Sequence, residues 1–144
     1  MKSEPDVFSI DDLESKNIAG WDGVRNYQAR NYLRAMRSGD LAFFYHSNAR
    51  PPAIAGVMKI VRESYPDPTQ FDRHHHQFDR KSTLEKPRWD QVDVQFVERS
   101  ANPMPLDEIK RIPALKKMML LHRSRLSVQP VTEREWQIIR QRIG

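Results

Sequence analysis

Ten residues, Trp21 to Arg30 (WDGVRNYQAR), bring together a tryptophan, a glycine, an asparagine, a tyrosine and two arginines. Such side chains can stack on a planar ring, hydrogen-bond its edge and meet a phosphate, which are the contacts that hold a nucleobase. Trp21, Tyr27, Phe44 and Tyr45 could wall a base-sized pocket, with Asn26, Ser47 and the backbone around Gly23 on the base edge. Arg25, Arg30 and Arg125 could meet phosphates. On this reading Trp21 is a wall rather than core filler, because it stands between Gly20 and Asp22 with no apolar periodicity around it. The competing reading places Tyr27 and Phe44 in the core, where aromatic residues usually lie.

Catalytic patterns are weaker. His46 and Ser47 end an aromatic run and could act as base and nucleophile, but no orienting carboxylate accompanies them. The histidines at 74, 75 and 76 are consecutive and cannot all turn toward one ion from regular structure, so a solvated loop is expected rather than a metal site. Neither a phosphate-binding glycine loop nor G-x-S-x-G nor H-E-x-x-H can be written, and no cofactor is expected. Paired carboxylates, Asp11 with Asp12 and Asp107 with Glu108, stand at helix starts, where they favour the helix dipole. The residues therefore favour binding over reaction.

The 144 residues suit one domain large enough to fold without staples, and there is no cysteine. MKSEPDVFSI lacks the apolar core of a signal peptide, and no segment is long enough to span a membrane, so a cytoplasmic protein without a membrane partner is expected. The net charge of +5 is uneven. Residues 1–109 hold 15 Lys and Arg against 17 Asp and Glu, whereas residues 110–144 hold 9 against 2. That bias points to phosphate contacts through Lys116, Lys117, Arg123 and Arg125, with a merely solvated basic face as the alternative.

Positioning these residues requires a specific set of elements. Ser9 with Asp12 caps a short helix over about residues 10–16, with Phe8 and Leu13 at staple positions. Ala29, Tyr32, Leu33 and Met36 give a helical stripe from Tyr27 that Gly39 should end. In DLAFFYHS, Leu41, Phe43 and Tyr45 point one way and Ala42, Phe44 and His46 the other, as in a strand. AIAGVMKIVRES is a second strand, with Gly56 marking a bulge or close approach, and WDQVDVQFVE is a third. Residues 65–88 read as a long polar loop pinned by Tyr65, Phe71, Phe78 and Leu84. Two short helical pieces broken at Pro113, a short strand in RLSVQPV and a final helix capped by Thr132 and Glu135 complete the chain. Irregular alternation of this kind predicts an α+β fold with a mixed or mostly antiparallel sheet.

Read in order, MKSEPDVFSIDDL, WDGVRNYQARNYL, GDLAFFYHS, GVMKIVRESYPDPTQFD, RWDQVDVQFVE and SRLSVQPVTEREW resemble the EVE domain family over essentially the whole chain. The resemblance implies a PUA-like mixed β-pseudobarrel flanked by short helices. It also implies a pocket reading modified bases, especially modified cytosines, in DNA rather than RNA. Carried onto this sequence, the pocket would be built from Lys2 and Ser3 with Glu4 and Pro5, from Trp21 to Tyr27 with Gly23, Val24 and Asn26 among them, from Tyr45, His46 and Ser47, and from Ser124 to Val128 with Leu126 and Ser127 among them. The expectation is a non-enzymatic nucleic-acid-binding domain, monomeric with a dimer as the alternative. The rivals are a small hydrolase of modified nucleosides, using Lys2, Glu4 or His46, an RNA-binding module, and a protein-interaction module with an acidic partner.

Overall fold

Strand β3 (Leu41–His46) divides the molecule. In the computed structural model, which describes residues 1–144, its side chains alternate as the pattern requires. Phe43 and Tyr45 enter one apolar cluster; Phe44 enters the other, with Ala42 packed against it. β3 pairs antiparallel with β4 (Ala53–Pro66), and β4 with β5 (Asp90–Pro105). The short β1 (Lys2–Ser3) runs parallel to β3, and β2 (Ile18–Gly20) antiparallel to β5. The sheet order is β1-β3-β4-β5-β2, a mixed sheet in an α+β fold, as expected. Repeated register shifts bulge the long β4–β5 pair. Bulges bend and twist a strand, which curls the sheet toward a pseudobarrel. At Gly56 a Cβ would lie 2.5 Å from the Glu98 carbonyl oxygen and 2.8 Å from Ile10 Cδ1, so glycine lets the first helix close on the sheet.

Helices cover both faces. On one, Ile10 and Leu13 of α1 (Ile10–Lys16) and Ala29 and Leu33 of α2 (Tyr27–Ala35) bury against Phe44, Met58, Val92 and Val94. On the other, Ile109 of α3 (Leu106–Lys110), Leu120 of α4 (Met119–His122), and Ile139 and Ile143 of α5 (Glu133–Ile143) meet Phe43, Ile54 and Val57. Both capping boxes form, at Ser9 with Asp12 and at Thr132 with Glu135.

Four expectations need correction. α2 ends at Ala35, before Gly39, which instead takes a positive φ in the turn into β3. Residues 105–122 hold two short helices and, between them, a 3-10 turn beginning at Pro113. RLSVQPV joins no ladder: Gln129 occupies the carbonyls of Arg123 and Leu126, and one bond, from the Lys2 amide to the Ser127 carbonyl, reaches β1. The loop after β4 is not pinned by its apolar residues either, for Phe78 and Leu84 are exposed. It is fastened by buried Asp67, Gln70 and Ser82. Gln70 Nε2 donates to the carbonyls of Asp67 and Trp89, and its Oε1 accepts from Ser82 Oγ and from the amides of Arg88 and Trp89.

Candidate functional site

A polar cavity of about 580 Å³ opens at the rim of the cluster that holds Phe44. β1 contributes Lys2 and Ser3, and the turn before α1 contributes Glu4, Val7 and Phe8. The segment after β2 adds Trp21, Asp22 and Gly23, and the long loop adds His75, His76 and Gln77. Its volume falls within the roughly 300–1,000 Å³ of small-ligand sites. A groove of similar size, about 590 Å³, runs along β3 past Met36, Leu41, Phe43 and Trp136. That groove is mainly apolar and carries none of the residues picked out for a site.

The long loop fixes the cavity wall through Asp67. Its carboxylate accepts from the Gly23 amide at 2.8 Å, from Arg25 Nη1 at 3.0 Å, and from the Thr69 amide and hydroxyl at 2.8 and 2.6 Å. Burial disfavours this charge, yet the hydrogen bonds from Thr69, Gly23 and Arg25 outweigh it and hold the Asp67 carboxyl below its usual range. Gly23, at φ +78°, takes the left-handed turn that brings its amide round to Asp67. Asp22 is then carried on the cavity side. It is open to solvent, but surrounding protein and then Asp67 push its carboxyl up, against the opposing pull of His75 and Arg25.

Lys2, Ser3, Glu4, Trp21, Asp22 and Gly23 are the predicted pocket residues that come together. Trp21 does so differently from expectation. It is 6% exposed and packs edge-on against Phe8 and Phe44, with ring centroids 6.4 and 5.4 Å away. It is core, with an edge at the cavity and no free face for stacking. The open planar groups are the imidazoles of His75 and His76, stacked on each other at 4.5 Å, and partly buried Phe8. The histidine loop is therefore part of the wall rather than merely solvated.

The other predicted pocket residues lie elsewhere. Val24 and Leu126 are buried in the cluster that holds Phe44. Asn26 caps α2 through Oδ1, which accepts from the Ala29 amide. Tyr27 stacks on Trp89 outside the cavity at 4.8 Å, with Arg30 over its ring. Tyr45 belongs to the opposite face of the sheet, where a small cavity also includes Ser127. His46 Nε2 accepts from the Ile10 amide at 3.1 Å, and burial lowers the pKa of its ring. Ser47 gives its amide to the Ser3 carbonyl, and the Ser124 carbonyl accepts from Lys2 Nζ at 2.8 Å. Neither residue lines the cavity.

Among the cations, Arg25 is fully engaged within the fold, by Asp67, Thr69 and the carbonyls of Val24 and Gln77. Arg30 binds the Arg88 carbonyl and Asn31. Arg25 contradicts a phosphate role, because its donors already have acceptors, whereas Arg30 commits three of its five N–H donors. Arg123 donates to Gln28 Oε1 at 2.6 Å. Lys116, Lys117 and Arg125 are exposed and form no ion pair. Lys2 links this basic segment to the cavity: it lines the cavity and reaches the Ser124 carbonyl, while burial lowers its amine pKa.

Sequence reasoning missed His75, His76 and Gln77 as cavity residues. The length of the loop that carries them was the available signal.

A family model described as the EVE domain matches residues 1–142. Human thymocyte nuclear protein 1 is 48% identical over 158 aligned residues, covering 96% of this chain and 70% of the human protein. The crystal structure of human THYN1 protein in complex with 5-methylcytosine containing DNA superposes with a TM-score of 0.96 at 47% identity, covering 100% of this chain and 95% of the other. A hypothetical protein from Leishmania major superposes equally well, with a TM-score of 0.96 at 48% identity, covering 99% of this chain and 90% of the other. With motif order and fold matched by relatives along its whole length, the chain belongs to the EVE domain family.

Proposed function

We propose that this protein binds DNA and receives a modified cytosine in the cavity walled by Lys2, Ser3, Phe8, Asp22 and Gln77. The observation that carries the reading is a ligand-sized polar cavity tied by Lys2 to an unpaired basic segment. A base inside a duplex can reach such a site only when it leaves the stack, and phosphate contacts then hold the flanking strand. The human relative crystallised with 5-methylcytosine containing DNA supports the same ligand class.

Reading rather than reaction is favoured by His46. Its Nε2 already accepts from the Ile10 amide, so it cannot take a proton without releasing the start of α1. The test is fluorescence anisotropy with short oligonucleotides that differ at one cytosine, unmodified or 5-methylated. The modified strand should bind more tightly by about 1–3 kcal/mol, and mass spectra should show no product. Equal affinity for both strands overturns the modified-base reading, and turnover that His46→Ala abolishes restores the hydrolase.

A further inference from the structure

Resting on the base-binding reading above, we propose that Asp22 is the specificity-determining residue of the cavity. Its carboxylate accepts a hydrogen bond from the exocyclic amine of cytosine and so excludes bases that carry a carbonyl at that position.

Several polar groups of the wall are already engaged within the protein. Ser3 Oγ donates to the Phe8 carbonyl at 2.6 Å. Glu4 Oε1 accepts from Asn48 Nδ2 at 3.2 Å. His75 Nδ1 accepts from the Gln77 amide at 3.0 Å, and Lys2 Nζ is directed at the Ser124 carbonyl. Asp22 lines the same cavity, and no other residue donates a hydrogen bond to its carboxylate. It is the cavity carboxylate whose lone pairs no other residue occupies.

Its position is built rather than incidental. The next residue, Gly23, is anchored by the 2.8 Å bond to Asp67, so Asp22 is held from one side by a buried hub. The charge of Asp67 also makes an unpartnered carboxylate at Asp22 unfavourable, and an amine donor would relieve that. Lys2, Lys16 and His75 line the cavity too, so its two carboxylates, Glu4 and Asp22, do not make it hostile to a polyanion. A carboxylate accepts but cannot donate, so it matches the amine of cytosine and repels the carbonyl of thymine. 5-Methylcytosine and thymine share their 5-methyl group and differ at this amine, which isolates the contact.

The experiment uses the full chain and short duplexes whose central nucleotide, opposite an abasic site, is 5-methylcytosine, cytosine or thymine. Wild type should prefer 5-methylcytosine to thymine by about tenfold or more. Asp22→Asn carries both a donor and an acceptor, and should bring the two within about threefold. Its melting temperature should hold, because the side chain is exposed. If Asp22→Asn and Asp22→Ala both keep the wild-type preference, Asp22 is not the reader and the proposal fails. If wild type binds cytosine and 5-methylcytosine alike but rejects thymine through Asp22, the modified-base reading fails while this assignment stands. Wild type binding none of the duplexes overturns both.

Discussion

Trp21 and His46 show how a residue can belong to the site region and still act through the fold. The indole of Trp21 is wedged between Phe8 and Phe44, so Trp21→Ala leaves a void beneath the cavity. Truncating a buried aromatic costs about 3–5 kcal/mol, which urea denaturation should register, and any loss of binding should follow from the loosened wall. His46 holds the first turn of α1 by accepting from the Ile10 amide. Its neutral ring is the stabilising form, and burial depresses its pKa below the unfolded value of about 6.5. That contribution is therefore present above the unfolded pKa and is lost as pH falls through the depressed one. His46→Ala should cost about 1–3 kcal/mol near pH 7.5, the penalty of an unsatisfied amide, and less near pH 5, measured by denaturation at both.

At the scale of elements, the loop after β4 is organised by one carboxylate. Asp67 joins Gly23, Arg25 and Thr69, and its lowered pKa fixes the sign of its acid response. Stability from this group is complete above the unfolded value of about 4 and disappears as pH falls through the lower folded value. Asp67→Ala strands the Arg25 guanidinium and should cost about 3–5 kcal/mol. Asp67→Asn should flatten the acid limb of melting temperature against pH below about pH 4. Elements of this kind were the least legible part of the sequence. Helices and strands announced themselves through caps and through period-2 alternation, as in β3. The same alternation already sets Tyr45 and His46 on opposite faces, so a single pocket could not use both. What no spacing revealed is the pairing of residues far apart in the chain. Arg25 resembles a phosphate ligand until Asp67 and Gln77 are seen to hold it, and Trp21 resembles a wall until Phe8 and Phe44 close over it.

For the whole molecule, the charge asymmetry becomes a surface. Lys116, Lys117 and Arg125 stand exposed on the stretch leading to the cavity rim, where Lys2 reaches the Ser124 carbonyl. Each phosphate contact releases counterions, so affinity should fall steeply with salt. Replacing these three by Ala should lower the log–log slope by roughly one unit per lost contact and weaken modified and plain strands alike, in a salt titration of binding. Arg25→Ala should behave differently, losing folded stability rather than salt slope, because its partners lie within the protein.

The Asp67–Gln70–Ser82 hub also sets how this wall moves. An apolar wall can loosen one side chain at a time, since each contact is weak and separable. Here the Gly23, Thr69, Arg88 and Trp89 amides share acceptors on two residues joined through the Asp67 carbonyl. Releasing one donor weakens the geometry of the rest, so the wall should open as a unit. In hydrogen exchange those four amides would carry one common protection rather than four separate ones. The cavity wall should therefore answer a ligand as one piece, its four amides loosening or tightening together.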